Sequence, residues 1–131
     1  MAPRLRFTTT TLSTRDARGL ASFYERLLGW ERAVDEEGWV LLRESEAEGH
    51  RIGIHEDVEY VPPVWPSRPH AQRMMAHMEI ATDDVDGAVG HALACGARLA
   101  EVQPQDDVRV MLDPDGHPFC LFPTDFAATD A

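Results

Sequence analysis

Leu20, Phe23, Tyr24, Leu27 and Leu28 recur at the spacing of one helix face. Asp16 stands where an N-cap belongs, and Gly29 where a left-handed residue ends a helix, so the pattern predicts a helix between them. Upstream, Leu5–Thr14 is rich in threonine, with little glycine or proline, and reads as a strand. Downstream the period shortens, predicting strands at Trp30–Val34, Trp39–Arg43 and Arg51–His55. The first two are joined by the turn Glu36-Glu37-Gly38, and the polar stretch Glu44–Gly49 separates the last two. Tyr60–Arg73 then gathers four of the nine prolines around Trp65. Proline removes backbone donors, so this segment reads as a loop.

Beyond it the pattern starts again. Met75–Thr82 reads as a strand, Asp84 as a cap, and Val85, Ala88, Val89, Ala92 and Leu93 as a second helix face ended by Gly96. Strands are expected at Arg98–Val102, Val108–Leu112 and Pro118–Phe122, with Asp113-Pro114-Asp115-Gly116 turning between the last two. Asp16 maps onto Asp84 with an offset of 68 and Gly29 onto Gly96 with 67, so the halves share architecture more than sequence. The expected organisation is one domain: a first module over about 5–56, a proline-rich linker over 57–73, a second module over 74–123 and a frayed tail over 124–131.

With 131 residues and 44% hydrophobic content, the chain can form a core without disulfides. Its formal charge of −11 and its lack of a basic, aromatic-studded stripe argue against nucleic acid and anionic membrane as partners. No apolar run approaches the ~20 residues of a membrane helix. The first 30 residues lack the apolar core of a signal peptide, which points to the cytoplasm. Cys95 and Cys120 are too few for a disulfide framework, and a reducing compartment would keep both as thiols.

Phe23-Tyr24 followed by Leu27-Leu28-Gly29-Trp30, then His77-Met78-Glu79-Ile80 with Asp83-Asp84-Val85-Asp86, then Asp113–Cys120, form an ordered series of motifs. In order and spacing this series resembles the vicinal oxygen chelate superfamily of glyoxalase, bleomycin-resistance and extradiol-dioxygenase proteins. Tyr60–Pro66 is similar to the inter-module linker of a glyoxalase-like subgroup. The resemblance spans roughly residues 5–123. It implies an α+β fold of two βαβββ modules whose curved mixed sheets enclose a cleft. It also implies a homodimer, with modules pairing within one chain or across the dimer.

That superfamily hosts lyases, epimerases, oxygenases, thiol transferases and drug binders, so the site must decide the function. Its metal-binding members draw one ligand from the first and one from the last strand of each module. Carried over by motif, those positions are Thr9, His55, His77 and Cys120. Two imidazoles and a thiolate suit Zn²⁺, with Ni²⁺, Mn²⁺ or Fe²⁺ as other divalent ions. The Glu that serves as ligand and base in metal-dependent glyoxalase chemistry is replaced by His55 and Cys120.

Two readings follow from the resemblance. In the first, the cleft binds a small organic molecule without metal or other cofactor, for sequestration or simple acid–base chemistry, and Cys120 is a small buried hydrophobe. In the second, His55, His77 and Cys120 hold a divalent metal for a lyase or isomerase. A third option is an interaction module whose cleft is filled by side chains. Strand alternation puts Glu79 on the face of His77, where it is a candidate general base. Arg109 is a candidate ligand contact, and Trp65 a candidate wall or lid, since pocket walls are rich in aromatics. Cys95, near a helix C-terminus, is a poor nucleophile. His50, His70 and His91 read as solvated, His117, directly after the Asp113–Gly116 turn, as a weak functional candidate, and Trp30 and Trp39 as core or edge residues.

Overall fold

A threonine two residues before an aspartate converts strand to helix twice in this chain. In the computed structural model, which describes residues 2–45 and 49–126, Thr14 Oγ1 accepts a hydrogen bond from the Asp16 N–H at 3.0 Å. Asp16 Oδ1 in turn accepts from the Gly19 N–H at 3.0 Å. Thr82, Asp84 and Gly87 repeat both bonds at 3.1 and 3.0 Å. Each aspartate thereby satisfies one of the orphan donors of a helix N-terminus. The helices that follow are α1 (Ala17–Leu28) and α2 (Val85–Cys95). Gly29 and Gly96 end them at φ of 71° and 116°, a region where a side chain is disfavoured.

Each helix belongs to a βαβββ module, and the chain divides into compact units at residues 1–60 and 61–131. The first unit contains β1 (Thr9–Thr14), β2 (Glu31–Glu36), β3 (Trp39–Arg43) and β4 (Arg51–Glu56) in the order β1-β4-β3-β2. Only β1 and β4 run parallel, a pairing that requires a crossover element, here α1. Val40, Leu42, Ile52 and Ile54 are buried on one face of the sheet, as are Ala17, Leu20, Ala21, Phe23 and Tyr24 of α1, which packs on β3 and β4. At ~25 cal/mol per Å² of apolar surface, each large side chain buried here contributes about 1.5–3 kcal/mol.

The second unit contains β5 (Met78–Thr82), β6 (Arg98–Leu99), β7 (Arg109–Leu112) and β8 (Pro118–Pro123), ordered β5-β8-β7-β6. Again the first and last strands pair in parallel, Glu79 opposite Cys120. Met111, Phe119 and Leu121 are buried, and α2 packs on β6, β7 and β8. The Asp113–Gly116 turn closes the last hairpin with a bond from the Gly116 N–H to the Asp113 carbonyl at 2.9 Å. Fully buried Asp113 also accepts from the backbone N–H of Asp115 and His117 and from His117 Nδ1. His117 thus locks the turn that it follows. No helix among the described residues is long and apolar enough to cross a membrane.

Four expectations are corrected. The first strand starts at Thr9 instead of Leu5, because its partner begins at Arg51, opposite Thr9. The fifth starts at Met78, not Met75, which leaves His77 just ahead of it. The sixth stops at Leu99 instead of Val102, because the Gln103 side chain takes over the ladder: Oε1 accepts from the Val110 N–H at 2.8 Å and Nε2 donates to the Val110 carbonyl at 2.9 Å. In α2 the buried stripe runs through Ala92 and Cys95, and Leu93 is exposed. Residues 127–131 of the expected tail and 46–48 of the polar stretch lie outside the described residues.

The Gln103 bridge is testable by urea unfolding. Gln103→Met leaves both Val110 groups without their side-chain partner and is expected to cost about 1–3 kcal/mol, whereas Gln105→Met on the exposed loop should change stability by less than about 0.5 kcal/mol.

Candidate functional site

Alternation along β7 and β8 gives the second sheet two faces of different chemistry. Val110 and Cys120 are register partners and form a buried apolar cluster with Ala100. Trp65, Val108 and Leu112 pack against it half-buried. Trp65 reaches this cluster from the proline-rich segment, and its Nε1 donates to the Val102 carbonyl at 3.3 Å. One flank of the indole is therefore fastened to backbone.

The polar edge of this face is supplied by β5. Glu79 is opposite Cys120, and His77, two residues earlier, points the same way. His77 Nε2 lies 2.8 Å from Glu79 Oε1. The donor atoms of His77, Glu79 and Cys120 all lie within 4.8 Å of one another. The three differ in exposure: the side chains of His77 and Glu79 are 33% and 50% exposed, while Cys120 is 8% exposed. Burial raises the Cys120 pKa, and the Glu79 charge and a hydrogen bond to Glu79 push it the same way. Cys120 is accordingly a protonated thiol at neutral pH, a weak donor to Glu79 and a small apolar surface, not an activated nucleophile. This face thus combines a buried apolar cluster, the Trp65 indole packed against it and an imidazole–carboxylate pair at one end.

Arg109 is not part of it. Its register partner is Leu121, which puts it on the opposite face from Cys120, and its Nη1 donates to the carbonyls of Gln105 and Val108. Cys95 is buried in α2, with His91 Nε2 3.8 Å from its Sγ. His50 and His70 are exposed.

The first sheet repeats the geometry with different residues. Thr9 stands where His77 stands, and Thr11, opposite Gly53, where Glu79 stands opposite Cys120. The counterpart of Cys120 is therefore Gly53, not His55, which lies two residues farther along β4, opposite Ser13 and Trp39. A Cβ on Gly53 would come within 2.6 Å of Thr11 Oγ1 and 2.7 Å of the Trp39 ring, so that space is already taken. A neutral hydroxyl and a glycine are not the donors that transition metals select. The four-ligand set implied by the resemblance is thus half filled, and it does not fit such an ion.

Comparison with known proteins bears on the fold. The profile of the glyoxalase-like domain matches residues 9–122. Among curated proteins no significant match is found. The structure is similar to that of a glyoxalase/bleomycin resistance protein/dioxygenase family enzyme from Burkholderia phytofirmans PsJN, with 17% identity, a TM-score of 0.66 and coverage of 88% of this chain and 96% of that one. A lactoylglutathione lyase from Agrobacterium tumefaciens is similar at 15% identity and a TM-score of 0.61, covering 93% and 96%. An antibiotic binding protein from Streptomyces sp. CB03234 is similar at 16% and 0.62, covering 95% and 100%. At these identities the likeness is one of fold.

The protonated state of Cys120 can be measured by the pH dependence of iodoacetamide labelling in a Cys95→Ser background. The half-point is expected above that of the unfolded chain. It should fall in Glu79→Gln but stay above the unfolded value, because burial is the larger cause. A half-point unmoved by Glu79→Gln would show that the carboxylate does not act on the thiol.

Proposed function

The chain belongs to the glyoxalase-like domain family, and from that premise we propose that it binds a small organic molecule on the face of its second sheet that carries His77, Glu79 and Cys120. The ligand is held by side chains alone, for sequestration or a simple acid–base step. The observation that carries this reading is the composition of the face: Ala100, Val110 and Cys120 as an apolar floor, Trp65 and Leu112 around it, and one polar pair, His77–Glu79, at the edge. Small-molecule sites have this make-up, largely apolar with a few polar groups that fix orientation. The lack of suitable donors at the first module's positions and the protonated Cys120 favour binding without metal. Glu79 is the group placed to accept a proton or a hydrogen bond from the ligand, and His77 to orient it. A fold neighbour named for antibiotic binding is consistent with the sequestering form of this reading.

A second reading rests on a different observation, the approach of His77, Glu79 and Cys120 to within 4.8 Å. Here the second module alone supplies three donors to a divalent ion of the zinc type, and the protein is a lyase or isomerase. Metal would supply Lewis acidity. Cys120 would have to lose its proton to bind, against the direction set by burial. The two readings part on metal retention.

Ligand binding is tested by thermal denaturation against a library of flat aromatic and natural-product compounds. A compound at 100 times its Kd is expected to stabilise the native chain by about 2.7 kcal/mol. Trp65→Ala and His77→Ala should each lose most of that shift. A library that stabilises nothing, or hits whose shifts survive Trp65→Ala, would overturn the proposal.

A further inference from the structure

The tip of a hairpin ordinarily stands in solvent, and in the last hairpin it does not. Gly116, at φ of 88°, is buried. The direction in which a side chain would project there is filled by the proline-rich segment: a Cβ on Gly116 would come within 3.2 Å of Pro62 Cβ. Glycine is thus required twice at this position, by the left-handed backbone and by the closeness of Pro62. Both ends of the contact lie in the second compact unit.

Each side of the contact is stiff. On one side the turn is held by Asp113, whose carboxylate accepts from the N–H of Asp115 and His117 and from His117 Nδ1. On the other, Pro62 and Pro63 fix two successive φ angles, and Pro62, preceding a proline, is confined to extended backbone. This short strut runs into Val64, whose N–H donates to the Gln72 carbonyl at 2.8 Å, and the next residue is Trp65. The indole packs against Ala100, Val110 and Cys120. Its bond from Nε1 to the Val102 carbonyl, at 3.3 Å, is long for an N–H···O bond and holds the ring only weakly by itself.

We propose that Gly116 and Pro62 are positioning residues for Trp65: the turn that closes the last hairpin braces the proline strut, and the strut holds the indole against the sheet. An aromatic wall fixed before a ligand arrives spares that ligand the cost of ordering it. This role rests on the reading of Trp65 as part of a binding face. The brace itself is tested without a ligand, so a compound library that stabilises nothing would sink that reading and not the brace.

The experiment follows solvent exchange of the Trp65 indole Nε1–H in the ¹⁵N-labelled full-length chain, its signal assigned by its loss in Trp65→Phe. Pro62→Gly is expected to speed that exchange at least about tenfold, while Pro69→Gly, at an exposed proline of the same segment, leaves it within about twofold. Both variants add the same freedom to the unfolded chain, so the difference between them reports the strut. Gly116→Asn sets a Cβ against Pro62 while using a residue that tolerates left-handed backbone. It should speed exchange in the native background and add little in Pro62→Gly, where the Cβ it meets is gone. Exchange unchanged by Pro62→Gly, equal acceleration by Pro69→Gly, or an equal increment from Gly116→Asn in both backgrounds would each overturn the proposal. Should Gly116→Asn fail to fold, the two proline variants still decide.

Discussion

The parallel register between the first and last strands of each module governs which side chains meet. A parallel pair cannot be closed by a hairpin, so the chain must cross over through a helix before adding strands back toward the first. In the second module this register sets Glu79 opposite Cys120 and brings His77 to the same face. In the first it sets Thr11 opposite Gly53. A slip of one residue would turn each set onto the helix-packed side. The buried rows Val40/Leu42, Ile52/Ile54 and Met111, Phe119/Leu121 hold that register, because a slip would carry them out of the core.

One scaffold therefore presents two chemically unlike faces. The second sheet offers a buried thiol, an imidazole–carboxylate pair and the Trp65 indole. The first offers hydroxyls, two arginines and the Trp39 indole. Neither has the donor set of a four-ligand metal centre. The fold is shared with proteins named for lyase activity and for antibiotic binding, and it does not choose between them.

Much of the fold was legible in the sequence. Both helices and their caps follow from Asp16, Asp84, Gly29, Gly96 and the apolar spacing, because those signals are local. The repeat was legible for the same reason. What escaped depends on contacts between strands. The loss of β6 beyond Leu99 comes from a glutamine side chain imitating a strand, which no propensity records. The pairing of His77 with Glu79 could be read from alternation alone, but the approach of Cys120 required the β5–β8 register. The same limit misplaced His55, since motif order fixes the strand but not the residue along it. It also hid the orientation of Arg109, which the β7–β8 register sets.

The central claim is that the face of His77, Glu79 and Cys120 binds its ligand without metal. The most direct measurement is the metal content of untagged protein after incubation with Zn²⁺, Ni²⁺, Mn²⁺ or Fe²⁺ and removal of free ion. The account predicts well under one equivalent of any ion per chain, with no difference between the native chain and Glu79→Gln. Near-stoichiometric metal that disappears in both His77→Ala and Glu79→Gln would contradict it and make this face a metal centre.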